Sequence, residues 1–301
     1  MKRVAILLAT YNGSRWLDEQ LDSLLAQQGV EVTVFVSDDH SSDNTLALLQ
    51  ARDDARLRIL PQAVRCGSAA GNFFRLLRDV DFAGFDAISL ADQDDVWHGD
   101  KLLRALQHME TLGVDAVSGN VEAFWPDGRR RLIRKSQAQC RWDHHFEAAG
   151  PGCTYVLSVA LARELQQVLR ARGAAMDGVS LHDWFIYCYA RTHGWRWHID
   201  ERPVMNYRQH DGNVIGANQG WRAVRSRTGK ILDGWYRGQV LLIGQLCQRQ
   251  GQSPVSWLAD DSRMGYLRLL FGVHHMRRYW RDRGVLALAF VVFFFRAGWN
   301  K

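Results

Sequence analysis

Short apolar runs alternate with amphipathic ones through about the first hundred residues, and three of the four apolar runs stop at a polar cluster. VAILLAT (4–10), VTVFVSDD (32–39), RLRIL (56–60) and DAISLAD (86–92) read as strands, with Val32, Val34 and Val36 at every second position. Between them SRWLDEQLDSLLAQ (14–27), SDNTLALLQAR (42–52) and GNFFRLLRDV (71–80) carry apolar residues at helical spacing, as Leu17, Leu21, Leu24 and Leu25 do. This order predicts βαβ units, hence a mostly parallel sheet covered by helices. Ligands of such sheets bind beyond the carboxyl ends of the strands. The polar clusters fall there: Thr10-Tyr11-Asn12, Asp38-Asp39 and Asp92-Gln93-Asp94-Asp95.

The chain has 301 residues, 47% hydrophobic and 23% charged, enough for one large domain and an accessory segment. Its net charge of +6 suits an anionic partner without choosing one. The arginine clusters come with no nucleic-acid reading motif, so no nucleic-acid partner is expected. Five scattered cysteines with no CxxC pair argue against a zinc site or a disulfide framework and fit a reducing, cytoplasmic setting. MKRVAILLATYNG ends its apolar run in Thr-Tyr-Asn-Gly and reads as a first strand, not a signal peptide. Beyond residue 216 the pattern is mainly helical and rich in arginine, which divides the chain into a main domain, 1–215, and a helical basic segment, 216–301.

Carboxylates crowded as Asp92, Asp94 and Asp95 are raise the cost of ionising one another, so they need solvent or a cation. An Asp-x-Asp at a strand end offers the hard oxygen ligands that Mg²⁺ or Mn²⁺ takes beside phosphate oxygens. An isolated one is more often a solvated turn, with Asp95 or Asp100 starting the helix that follows and Asp43 capping the helix after the second strand.

The three motifs together, ATYNGSRWLDEQLDSLLAQ, VSDDHSSDNT and LADQDDVWHGDKL, resemble family 2 glycosyltransferases, inverting enzymes of the GT-A fold. The resemblance implies a mixed, mostly parallel sheet flanked by helices, with Thr10, Tyr11, Asn12, Asp38 and Asp39 on the nucleoside. It also implies Asp92 and Gln93 beside the donor and Asp94 as metal ligand. In SLHDWFIYCYA (180–190), Asp183 resembles the family's catalytic base, and His182 stands where many members carry another acid. Asp183 is otherwise a helix cap. The HDW form and YRQHDGNVIGA (207–217) resemble the rhamnosyltransferase-like group. Arg208 is then expected at the diphosphate and His210 at the metal. Gly150, Gly152 and Thr154 resemble a glycine loop and read equally as a turn. Trp97, Gly152, His182 and Trp184 are expected around the sugar or acceptor.

The implied reaction moves a sugar, L-rhamnose from dTDP-L-rhamnose, to a hydroxyl of a polysaccharide or lipid-linked saccharide. Its rivals are the same chemistry with a UDP-hexose or UDP-N-acetylhexosamine, and a non-catalytic sugar-nucleotide binder. MRRYWRDR (276–283) followed by VLALAFVVFFF (285–295) suits either a core helix or peripheral contact with the inner face of the cell membrane. It is too short to span one.

Overall fold

The structure, a computed structural model, describes residues 1–210, 234–247 and 254–297. The described residues form two compact units, one of 1–136, 149–183 and 195–210, the other of 137–148, 184–194 and the described residues from 234 onward. The expected boundary at 215/216 lies outside the described residues, as do 211–217 of the YRQH stretch.

The first unit is built on a nine-stranded sheet. Strands β1 (Lys2–Thr10), β2 (Val30–Asp38), β3 (Leu57–Ile59) and β4 (Ala87–Ala91) run parallel in the order β3-β2-β1-β4. The helices α1 (Leu17–Leu25), α2 (Thr45–Ala51) and α3 (Ala69–Asp79) connect them. Every residue of β4 and Val4 to Leu8 of β1 are buried, as expected of central strands covered on both faces. Leu17, Leu21 and Leu24 of α1 are fully buried on one face, with Leu102 of α4 (Lys101–Leu112) in the same core. On the other face α3 packs with α5 (Val159–Arg172).

Past β4 the sheet becomes mixed. The short β8 (Val156–Ser158) lies antiparallel between β4 and β6 (Ala116–Phe124), and β9 (Trp197–Arg208) runs parallel to β6 and antiparallel to β5 (Val96–Trp97). The basic run around residue 130 is an edge strand, β7 (Arg130–Ile133), paired to β6. Helix α6 (His182–Thr192) follows α5. Registers place the loops: Thr10 lies opposite Asp38 and Leu8 opposite Ala91, so the turns leaving β1, β2 and β4 emerge side by side.

In the second unit, helices α7 (Trp235–Cys247), α8 (Pro254–Ala259), α9 (Arg263–Gly272) and α10 (Trp280–Arg296) pack with residues 137–148 and 184–194. The helical reading of the C-terminal segment therefore holds for its described part.

Candidate active site

The turns after β1 and β2 are tied together by side chains bonding backbone N–H groups, which no ladder satisfies there. Thr10 Oγ1 donates to Asp38 Oδ1 at 3.0 Å, and Asp38 also accepts from the Ser41 N–H at 2.9 Å. Asn12, in the left-handed region at φ 50°, accepts from the Ser42 N–H at 2.7 Å through its side-chain carbonyl. The Gly13 N–H donates to Thr45 Oγ1 at 2.8 Å. Asp43, expected to cap α2, stands one residue before the N-cap position, which Asn44 occupies, and accepts from the Thr45 N–H at 3.0 Å. Asp39 accepts from Gly67 N at 2.8 Å and Cys66 N at 2.5 Å, so it shapes the segment before α3. Tyr11 is 44% exposed, with the Arg65 guanidinium 5.1 Å from its ring centre.

Gln93 clasps the first turn from the third. Its Oε1 accepts from the Tyr11 N–H at 2.8 Å and its Nε2 donates to the Tyr11 carbonyl at 2.9 Å. A Cβ on Gly13 would lie 2.2 Å from that Oε1, so only glycine lets the amide pass.

The acidic run separates into distinct environments. Asp94 is buried, and its Oδ2 lies 2.6 Å from His210 Nε2, whose ring stacks on Trp16 with centroids 4.1 Å apart. Arg208 Nε donates to the Asp94 carbonyl at 2.8 Å, and its guanidinium also pairs with Glu19. Asp95, expected at a helix start, is instead fully buried: β5–β9 pairing brings the Arg208 N–H to its Oδ1 at 3.1 Å. Asp100 occupies the N-cap position of α4, where its side chain makes no cap bond and pairs with Arg104 at 3.3 Å. Burial pushes the partly buried Asp92 carboxyl up to about 7, helped by the negative charges of Asp94 and Asp183. Burial likewise raises Asp95 well above the usual range, with Asp94 and Asp92 adding to it.

These residues fit a divalent cation. Asp95 Oδ2 is buried without a hydrogen-bond partner, and Asp92, Asp95 and Cys153 each offer a ligand atom within 4.8 Å of the others. The Cys153 thiol is held protonated by burial, which leaves Asp92 and Asp95 as the oxygen donors of that cluster, while Asp94 and His210 pair with each other. Lys101, buried at the start of α4, donates to the Cys153 carbonyl at 2.6 Å, and burial drives its ammonium well below its ordinary range. No sequence signal pointed to Cys153 or Lys101, which join the site only through tertiary packing.

From His182 to Ala190 on α6, Asp183 alone is not buried. The Tyr155 hydroxyl donates to its backbone carbonyl at 3.3 Å. His182 stacks on Phe73, centroids 4.0 Å apart, and its Nε2 is buried with no partner. That nitrogen would lie 2.3 Å from a Cβ on Gly152, so imidazole and glycine fit each other. Burial alone lowers His182 to about 3, so it is neutral. Two residues expected around the sugar are core. Trp97 is 4% exposed with Lys101 Nζ over its ring, and Trp184, in the second unit, donates to the His144 carbonyl at 3.0 Å.

The family model for glycosyl transferase family 2 matches residues 5–152. The dTDP-rhamnosyl transferase RfbG of Shigella flexneri is 41% identical over 259 residues, 85% of this chain and 86% of its own length. The UDP-Glc:alpha-D-GlcNAc-diphosphoundecaprenol beta-1,3-glucosyltransferase WfgD of Escherichia coli is 28% identical over 54% of this chain and 61% of its own. Among solved structures, S. aureus TarS in complex with UDP-GlcNAc superposes with a TM-score of 0.53 and 15% identity, covering 82% of this chain and 71% of that one. This likeness shows the shared GT-A fold. A mixed sheet with its loops gathered at one end, a matching family model and a relative alike along most of both chains lead to one assignment: this chain belongs to glycosyltransferase family 2.

Proposed function

We propose that the protein transfers L-rhamnose from dTDP-L-rhamnose to a hydroxyl of a saccharide or lipid-linked saccharide, with inversion and with Mg²⁺ or Mn²⁺ beside the donor. The observation that carries the choice of sugar is the 41% identity, along 85% of the chain, to a relative named as a dTDP-rhamnosyl transferase. Five free cysteines support a reducing, cytoplasmic setting.

In this reading Thr10, Tyr11, Asn12, Asp38 and Asp39 form the nucleoside end, with the ring of the exposed Tyr11 offering a flat face to the base. Gln93 fixes that turn through its two bonds to Tyr11. Asp92 meets the ribose, and Asp94 with His210 would hold the cation, which when bound neutralises charge on the departing diphosphate. Arg208 holds the Asp94 backbone and adds positive charge near it. Asp183 takes the proton from the acceptor hydroxyl as its oxygen bonds to the anomeric carbon and the bond to diphosphate breaks. The Gly152–His182 contact fixes the wall next to Asp183.

The test needs no acceptor. The protein is incubated with dTDP-L-rhamnose, UDP-glucose or UDP-N-acetylglucosamine, and slow release of nucleoside diphosphate is followed with Mn²⁺ or with a chelator. The expected result is fastest release from dTDP-L-rhamnose, lost on chelation. Faster release from a UDP-sugar would move the enzyme to another donor, and binding without turnover would favour a non-catalytic binder.

A further inference from the structure

Helices α9 and α10 of the second unit turn apolar side chains outward. Phe271 is 82% exposed, Trp280 66%, Leu288 65%, Phe295 62% and Met264 57%. On α10, Leu288, Val291 and Phe295 recur at intervals of three and four and form one stripe, while Leu286, Ala289 and Phe290 on the opposite side are buried. On α9, Met264 and Phe271 fall on one face, and the two helices pack together. Large apolar groups exposed in such a set mark an interaction surface, not scattered surface residues.

The charges on these helices select the partner. Arg263, Arg268, Arg281 and Arg296 are all exposed. The only acid within either helix is Asp282, 3.9 Å from Arg277. Asp260 and Asp261 precede α9, and Asp261 pairs with Arg237 at 3.3 Å. The Arg281 guanidinium lies 5.3 Å from the Trp280 ring centre, which gives α10 a cationic and aromatic start. Apolar side chains framed by arginine and tryptophan match a headgroup boundary, where the rings bury and the guanidinium groups reach phosphate. A second protein surface would have to answer the same arginines with acids, and among the described residues neither helix carries a complementary acidic stripe.

Helix α10 has 17 residues, and among the described residues no helix is long and apolar enough to cross a membrane. We propose that the outward face of α9 and α10 docks this protein on an anionic lipid bilayer, lying in the headgroup region without spanning it. This surface is argued from exposure and charge and does not rest on the choice of donor sugar.

The full chain is sedimented with vesicles containing phosphatidylglycerol and with vesicles of phosphatidylcholine alone. Binding is expected to the first, weakened by salt, and little to the second. The variant F271S/L288S is expected to lose about tenfold or more in affinity. The variant R268Q/R281Q is expected to lose roughly thirtyfold on anionic vesicles only, at about 1 kcal/mol for each arginine. Both should keep the wild-type melting temperature and donor hydrolysis, because the altered side chains point outward. The proposal is overturned if wild type fails to bind anionic vesicles, binds both kinds equally, or binds as well as F271S/L288S does. It is also overturned if the chain forms a lipid-free dimer that F271S/L288S dissociates, which would give this face to a second copy.

Discussion

Four aspartates lie within fourteen residues of β4 and the turn after it, and each meets a different environment. Their spacing was legible in the sequence, but their separation was not. Asp95 is buried because Arg208, 113 residues further on, brings its N–H to the carboxylate through β9. Asp94→Ala should abolish the shift in melting temperature that Mn²⁺ with dTDP produces. Asp100→Ala, whose side chain is 49% exposed beside Arg104, should keep that shift and cost under about 1 kcal/mol. Asp183→Asn should lower turnover by roughly two to four orders of magnitude and leave dTDP affinity, read by calorimetry, nearly unchanged. Unchanged turnover would remove Asp183 from the mechanism. His182 gives a pH signature. Its folded value, about 3, lies below the ordinary 6.5, so the unfolded chain takes up the proton first as pH falls. Its contribution is whole above about pH 6.5 and declines below it, by about 2–3 kcal/mol near pH 4.5. Urea unfolding of His182→Leu should show a shallower acid decline than wild type.

At the scale of elements, the parallel strands and their helices were readable because apolar runs and helical spacing are local signals. The insertion of β8 between β4 and β6 was not, since a three-residue strand has too little pattern to show its partner. The clasp between Gln93 and Tyr11 was equally hidden, because it depends on how the β1 and β4 turns come side by side. It makes a sharp test of the loops as one unit. Gly13→Ala should drive the Gln93 amide out, break both bonds to Tyr11 and cost about 1–3 kcal/mol. In the Gly13→Ala/Gln93→Ala pair the clash is gone, so the two costs should fall short of additivity in chemical unfolding. Full additivity would mean that glycine serves only its own backbone there.

Taken whole, the chain draws two earlier segments, 137–148 and 184–194, into the unit formed by its C-terminal helices, and local patterning could not reveal this. Asp143, fully buried, accepts from the Tyr187 hydroxyl at 2.9 Å and from Arg278 at 3.0 Å, a partner 135 residues away. Burial pulls its carboxyl up, but hydrogen bonding from His144 and the charges of Arg278 and Arg191 outweigh it and hold the group at about 2. Its folded value lies below the usual one, so this stabilisation is present above about pH 4 and fades as pH falls toward 2. Arg278→Met leaves a buried carboxylate without its main cation and should cost about 3–5 kcal/mol near neutral pH, read by urea unfolding. A chain ending at residue 233 should fare worse. It loses the Tyr236 ring stacked 5.5 Å from Trp184 and the Tyr236 hydroxyl bonded to the Phe146 carbonyl, as well as Arg278. Trp184 of α6, buried in the full chain against Tyr236, would meet water, at about 1.5–3 kcal/mol. The truncated chain should therefore aggregate or melt without a cooperative transition, whereas Arg278→Met should melt cooperatively at a lower temperature. A truncated chain that melts as sharply as the full one would show that α6 keeps its structure without the C-terminal helices.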